Sequence, residues 1–374
     1  MKITANVAKL KDTISIATRP IGGKTTMPVL ACVLIEAIQG SQLVRITGTN
    51  LDLYVSASFP ATVLDSGSVA IAGKRLQAVI GSLAGADAKI STDAKDSMSI
   101  ACAPSKFHLL GLPANEFPPM NTEWAPIAQL KFTQAALAEI LTSIAAAQSQ
   151  DESRYTLNGI YINDTDKDTT FVGTDGRRLH VNTQAAQDDG LPGGTAILPW
   201  KAVAVLQSLL GDDGDVTIAW DARRLRATIA REDGDITVVS KLVEGSYPNY
   251  AQVLPKDKRL EIEIVTDDLI DALSRARLAL DEKSLSVKIA FEGAMITVTA
   301  VGPSFGDASE TVLCVNPGGF NGFFAANVVF LLDALRGLQT EKVTLRLPAT
   351  GAEVSPIYFH NATVKTIVMP VRTS

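Results

Sequence analysis

The chain has 374 residues, 46% apolar and 20% charged, with a formal net charge of −6 at pH 7. This composition suits a folded chain with about two or three cores, and no run approaches the roughly 18 uninterrupted apolar residues of a membrane helix. Net acidity speaks against a protein that holds nucleic acid through a broad basic surface. Cys32, Cys102 and Cys314 lie far apart among apolar neighbours, which points to reduced, buried thiols in a cytoplasm rather than to a disulfide framework or a zinc site.

In chain order, Met1-Lys2-Ile3-Thr4 runs straight into a strand pattern and leaves no room for a signal peptide. The spacing of Leu10, Ile14 and Ala17 predicts a helix. Residues 33–37 and 43–47 then alternate around Gly40 as a hairpin. Leu76, Ile80 and Leu83 predict a second helix, followed by a hairpin of residues 88–91 and 98–101. Residues 117–126, rich in proline, read as a linker. The pattern then restarts. Leu137, Leu141 and Ile144 form a stripe, and residues 159–162 and 170–172 flank an Asp-rich turn. Val203, Gln207 and Leu210 form another stripe, ahead of strands at 216–220 and 224–230. After a second linker at 254–257, Leu269, Leu273 and Ala276 precede strands at 287–291 and 295–300. Leu331, Leu335 and Leu338 then precede strands at 343–347 and 358–359.

The stripes recur at offsets of roughly 127 to 132 residues, and the two stripes of each repeat stand 62 to 66 residues apart. The chain therefore reads as three domains of two similar halves, six copies of one strand-and-helix unit. Antiparallel meanders with few, short helices predict an α+β architecture with helices covering one face of a sheet.

Charge is unevenly spread. Lys9, Lys11, Arg19 and Lys24 gather around the first helix, Lys74 and Arg75 open the second, and Arg275, Arg277 and Lys283 follow the fifth. Acidic residues collect in turns such as 164–168 and 212–215, and solvated faces account for this pattern as simply as a ligand does. Catalytic equipment is sparse. His108, His180 and His360 are scattered through strand-like sequence, and no phosphate-loop, dinucleotide or metalloprotease motif occurs. Gly22-Gly23-Lys24-Thr25 mimics only the tail of a phosphate loop. Glu261 with Glu263 fits a strand's solvent face, and Asp267 with Asp268 fits a helix N-terminus. Residues 173–178, Gly-Thr-Asp-Gly-Arg-Arg, read as a tight turn that needs a glycine with positive φ.

Several segments nevertheless carry a resemblance when taken in order. They are Gly22-Gly23-Lys24 with Met27-Pro28-Val29-Leu30, Leu157-Asn158-Gly159, the turn at 173–179, the run Lys241-Leu242-Val243-Glu244-Gly245-Ser246-Tyr247-Pro248-Asn249-Tyr250, and the ending Val368-Met369-Pro370-Val371-Arg372. Together they resemble the β sliding clamp of bacterial DNA polymerase III over essentially the whole length. The resemblance implies three clamp domains, 1–126, 127–254 and 255–374, in a head-to-tail homodimeric ring with helices inside and antiparallel sheets outside. It implies a non-catalytic processivity factor without cofactor or metal, cytoplasmic and nucleoid-associated. Such a ring encircles duplex DNA without sequence specificity. The implied partners are the polymerase III alpha subunit, the clamp loader delta subunit, other polymerases, ligase and mismatch-repair proteins. A closed ring holds DNA by topology, so an acidic body with a weakly basic lining becomes sensible, because phosphate attraction is local within a Debye length of roughly 10 Å.

Carried over residue by residue, the resemblance implies a partner-peptide pocket at Leu157, Thr174, Gly176, Arg178, Leu179, Pro248, Val253, Ile367 and Met369, with Asn327, Phe330, Pro370 and Arg372 at its rim. Lys24, Arg154 and Lys201 match positions that approach DNA, and Phe107, Leu109 and Leu278 match the subunit interface. Gln252, where a basic residue is frequent, Val371, where methionine is frequent, and the Thr373-Ser374 extension depart from the family pattern. They leave open a second-copy clamp with altered partner or drug preference. The rival class is an enzyme or ligand-binding protein built on repeated β-rich domains.

Overall fold

A computed structural model describes residues 1–23, 26–38, 40–120, 124–187, 190–257, 259–282 and 284–372. One module, strand–helix–three strands, occurs six times. The first copy is β1 (Lys2–Asn6), α1 (Val7–Ala17), β2 (Cys32–Ile38), β3 (Leu43–Thr49) and β4 (Leu53–Pro60), trailed by a short β5 (Thr62–Asp65). The second is β6 (Gly67–Ala72), α2 (Gly73–Gly81), β7 (Asp87–Thr92), β8 (Ser97–Cys102) and β9 (Ser105–Leu112). The third is β10 (Ala128–Thr133), α3 (Gln134–Ala145), β11 (Gly159–Asp164), β12 (Asp168–Thr174) and β13 (Arg178–Ala185). The fourth is β14 (Gly194–Pro199), α4 (Trp200–Leu209), β15 (Asp215–Trp220), β16 (Arg224–Ile229) and β17 (Ile236–Lys241). The fifth is β18 (Leu260–Val265), α5 (Thr266–Ala276), β19 (Ser286–Glu292), β20 (Met295–Gly302) and β21 (Gly306–Val315). The sixth is β22 (Gly322–Asn327), α6 (Val328–Leu338), β23 (Lys342–Leu347), β24 (Ile357–His360) and β25 (Val364–Val368).

The chain divides into two compact units. One comprises Met1–Ala138, Asp189–Gly193 and Ala204–Leu242; the other comprises Glu139–Asp188, Gly194–Val203 and Val243–Ser374. The first carries a 13-stranded antiparallel sheet and the second a 12-stranded one. Each sheet is made continuous by pairing between final strands of different copies. In the first, β17 pairs β4 with Ile236 opposite Ala57 and Ser240 opposite Leu53. In the second, β13 pairs β25 with Arg178 opposite Val368 and Asn182 opposite Val364. The middle third of the sequence thus contributes strands to both sheets.

Local chemistry explains the repetition. Asn6 caps α1 by accepting from the Ala8 and Lys9 amides at 3.0 and 3.2 Å, and Asn327 caps α6 through Val329 and Phe330 at 2.9 and 3.4 Å. Each cap satisfies orphan amides of the first turn. Asp267 and Asp268 in the first turn of α5 and Arg275 in its last oppose the helix dipole. Leu10, Ile14 and Ala17, then Leu137, Leu141 and Ile144, then Leu269, Leu273 and Ala276 are all buried against their sheets, each large side chain contributing about 1.5–3 kcal/mol. Glycine recurs where a helix end meets the sheet. A Cβ at Gly48 would collide with the Ala17 carbonyl, at Gly173 with that of Ile144, and at Gly302 with that of Ala279.

Three sequence expectations need correction. The buried face of α4 is Ala202, Val203 and Leu206; Gln207 is only half-buried and Leu210 lies beyond the helix. Leu83 likewise falls past the end of α2. The expected first linker begins with an anchored residue, because Phe117 is buried with Val29, Cys32 and Ala70. All three cysteines are buried and unbridged, and burial raises the thiol pKa of Cys32 and Cys314.

Candidate peptide pocket and its surroundings

The centre of the site is the turn joining β12 to β13. Thr174 Oγ1 donates to the Arg178 carbonyl at 2.5 Å and accepts from the Gly176 amide at 3.1 Å. Asp175 Oδ1 accepts from the amides of Arg177 and Arg178 at 2.9 and 3.0 Å. Gly176 has φ of +84°, a conformation that glycine adopts without steric cost. These local bonds aim Arg178 at α6. Its Nε donates to Asp175 Oδ2 at 3.0 Å and its Nη1 to Asp333 Oδ2 at 2.5 Å. Its guanidinium carbon lies 4.3 Å from the centroid of the Phe330 ring, a cation–π geometry.

The chain's last described segment closes over this centre. Leu179 stands opposite Ile367 in the β13–β25 ladder. Beyond it the Met369 amide donates to the Arg177 carbonyl at 2.9 Å and the Val371 amide to the Ala325 carbonyl at 2.7 Å. Beneath lie Val172, Leu179, Val181, Tyr358 and Ile367, with Tyr161, Tyr247, Tyr250 and Leu254 packed against them. Tyr161 stacks on Tyr247 at 4.7 Å and meets Tyr250 edge-on at 6.3 Å. Burial raises the phenol pKa of all three, most strongly at Tyr247.

Of the expected pocket residues, Thr174, Gly176, Arg178, Leu179, Phe330, Ile367 and Met369 are brought together by these contacts, and Asn327 caps the helix that carries Phe330. Leu179 and Ile367 are buried, whereas Met369 and Val253 present 37% and 45% of their surface to solvent. Leu157 ends a 3-10 turn, Glu152–Leu157, and Gly245 packs against the adjacent Thr156. Pro248 is exposed, Pro370 is half-buried and Arg372 is exposed. Asp333 was not anticipated. It stands three residues after Phe330 on α6, and no pattern in the sequence relates it to Arg178, 155 positions away.

Elsewhere, Arg154 is tied to the same turn, its Nη1 donating to the Asp175 carbonyl at 2.8 Å. Lys201 is exposed, with Nζ 5.8 Å from the Trp200 ring centroid. Lys24, Lys283, Thr373 and Ser374 lie outside the described residues. Gln252 is exposed in a 3-10 turn. The basic cluster around α1 is partly neutralised, since Lys9 pairs with Asp233 at 2.5 Å and Arg231 with Asp12 at 2.8 Å. Asp12, Arg231 and Asp233 line a cleft of about 590 Å³ together with Arg19, Gln134 and Asp213. Leu278 is 80% exposed. Phe107 packs partly against its own core. Leu109 is turned into that core, and the neighbouring Leu110 is the exposed one, because successive strand residues face opposite ways. Among the described residues, no group of three or more His, Cys, Asp and Glu side chains gathers where it could hold a metal ion. No described helix is long and apolar enough to cross a membrane.

Family models match this chain in series: the N-terminal domain of the DNA polymerase III beta subunit at residues 1–121, the central domain at 131–249 and the C-terminal domain at 251–372. A beta sliding clamp from Proteus mirabilis is 29% identical over 376 residues, with all of both chains covered. The crystal structure of the DNA polymerase III beta subunit from Pseudomonas aeruginosa superposes with a TM-score of 0.89 at 26% identity, again over all of both chains. A sliding clamp from Bartonella birtlesii bound to griselimycin also scores 0.89, at 27% identity and full coverage of both. With its six-copy α+β architecture matched from end to end, the chain belongs to the DNA polymerase III beta subunit family.

Proposed function

We propose that this chain is a processivity factor, a non-catalytic sliding clamp with domains 1–126, 127–254 and 255–374. Two copies close head-to-tail around duplex DNA in the cytoplasm and tether the polymerase alpha subunit, the clamp loader delta subunit and repair proteins through the pocket around Arg178. The observation that carries this reading is the order of strand pairing. The final strand of the first copy pairs with that of the fourth, β4 with β17, and the third with the sixth, β13 with β25. The second and fifth are left over. Among the described residues, β9 pairs beyond β8 only at Gly111 and Leu112, and β21 pairs beyond β20 only at Cys314 and Val315. Each therefore offers an open edge, which proteins ordinarily cover.

A head-to-tail contact joins two different patches, and it closes into a ring when the rotation allows. Pairing β9 of one copy with β21 of the next continues the rule of the other two joints. Lys106 on β9 faces a strand that carries Asp307 and Glu310, the latter also paired with Arg275 at 2.8 Å, and the exposed Leu110, Leu278 and Phe305 supply apolar contact. Lys24, Arg154 and Lys201 are the DNA-facing cations of this reading. A ring needs few of them, because topology rather than affinity retains the DNA. The relative bound to griselimycin supports a ligand-receiving pocket.

The test is topological. Protein loaded by a clamp loader onto nicked circular DNA should stay bound through gel filtration and be lost once the circle is linearised. Equal retention on both forms would refute encirclement.

A further inference from the structure

We propose that Asp333 is a positioning residue of the peptide pocket, holding Arg178 flat against Phe330 so that the guanidinium meets an incoming peptide in one orientation. The proposal rests on the pocket reading above and adds a residue that reading does not contain. Asp333 is the sole acidic residue in α6 and stands three residues after Phe330, on the same helix face. Arg178 thus meets a ring and a carboxylate from one helix surface. Asp175 fixes the other end of the guanidinium from the β12–β13 turn. Only 12% of the Arg178 side chain is exposed and 25% of the Asp333 side chain, so water screens this pair less than it screens the surface pairs.

The consequence lies in donor geometry. A guanidinium carries five N–H groups in a rigid plane. Asp175 takes the one on Nε and Asp333 takes one on Nη1, which leaves the second N–H of Nη1 and both of Nη2 for a partner. Asp333 fixes the plane in which those three point. Without it, the long Arg178 side chain can rotate about its remaining Asp175 contact, and the donors lose their aim before a peptide arrives. Preorganisation of this kind lowers the ordering cost of binding. The peptide group addressed is a side-chain carbonyl or main-chain carbonyl, an acceptor without charge, because two carboxylates already balance the single guanidinium.

The experiment uses the full chain and, in polarisation titrations, a fluorescent peptide of the form Gln-Leu-x-Leu-Phe, the type that the resemblance to the clamp family implies for its partners. Asp333→Ala should weaken binding about tenfold, Asp333→Glu should restore most of it, and Asp333→Asn should fall between. A purely structural role is separated by a double-mutant cycle. Replacing the peptide's Gln by Ala should cost affinity with the wild-type chain and nearly nothing with Asp333→Ala. Additive losses would overturn the proposal, as would wild-type affinity in Asp333→Ala. A crystal structure of Asp333→Ala without peptide should show the guanidinium displaced from Phe330; an unmoved Arg178 also overturns it. A wild-type chain that ignores the peptide while that displacement is seen refutes the pocket reading and leaves the positioning contact standing.

Discussion

His180 gives β13 a built-in sensitivity to acid. The side chain is fully buried on β13 beside Leu179, with Nδ1 2.8 Å from the Ser143 carbonyl on α3. A carbonyl only accepts, so Nδ1 carries the proton and donates it. Nε2 then holds a lone pair with no described partner. Protonation would place a second, unsatisfied N–H and a charge in the core. Burial is the main reason the pKa falls to about 4, and the Arg178 charge pushes it the same way, while the Ser143 bond, Asp333 and Asp175 oppose it.

The unfolded chain takes up this proton near pH 6.5, but the folded chain does so only near pH 4. Between those values the unfolded state binds more protons, so stability falls as pH drops through the window and levels off below it. The whole gap of about 2.5 units corresponds to about 3 kcal/mol. About 2 kcal/mol of that is lost between neutral pH and about pH 4.5, where the folded form is still mostly unprotonated. His180→Asn removes the titration and keeps an amide donor for Ser143. Urea denaturation of both proteins, followed by circular dichroism, isolates the effect, since carboxylates elsewhere contribute equally to each. The wild-type chain should lose about 2 kcal/mol more than the variant over that range. Equal losses would show that His180 is charged in the folded state or reaches water, and the reasoning would fail.

Met369→Ala should cost about 1–3 kcal/mol of peptide affinity by calorimetry and leave the dimer intact, because its side chain is half-presented to solvent. Leu179→Ala should instead cost about 2–5 kcal/mol of folding stability, as buried truncations do; unchanged affinity in both variants would move the site. Leu278→Asp, alone and with Phe107→Asp, should give soluble 39.6 kDa monomers by light scattering, and a persistent dimer would contradict the β9–β21 contact. Freeing Lys9 and Arg231 by Asp233→Asn with Asp12→Asn should tighten binding to short duplex DNA and steepen its salt dependence. Unchanged affinity and slope would mean that α1 does not face phosphate.

The repeat, the helices and most hairpins were legible in the sequence, because helix and strand periodicities are local consequences of which side must be buried. The helical spacings of Leu10, Ile14 and Ala17 and of Leu76, Ile80 and Leu83, each with two recurrences, specify six modules with no reference to a neighbour. The turn at 173–178 was equally readable, since Thr174, Asp175 and Gly176 satisfy their own backbone within a few residues. Misreadings arose where burial depends on a distant surface. Gln207 fell on the predicted stripe of α4, yet Leu206 holds the buried place. Tertiary structure alone decided which final strands meet. Nothing in β4 names β17, and nothing in β13 names β25, because main-chain pairing is available to any open edge and is settled by how whole modules stack. It also decided the Arg178 cluster, where residues 155 positions apart share a hydrogen bond. An ion pair of that kind leaves no periodic trace in the chain, and only the fold brings Asp333 to the guanidinium.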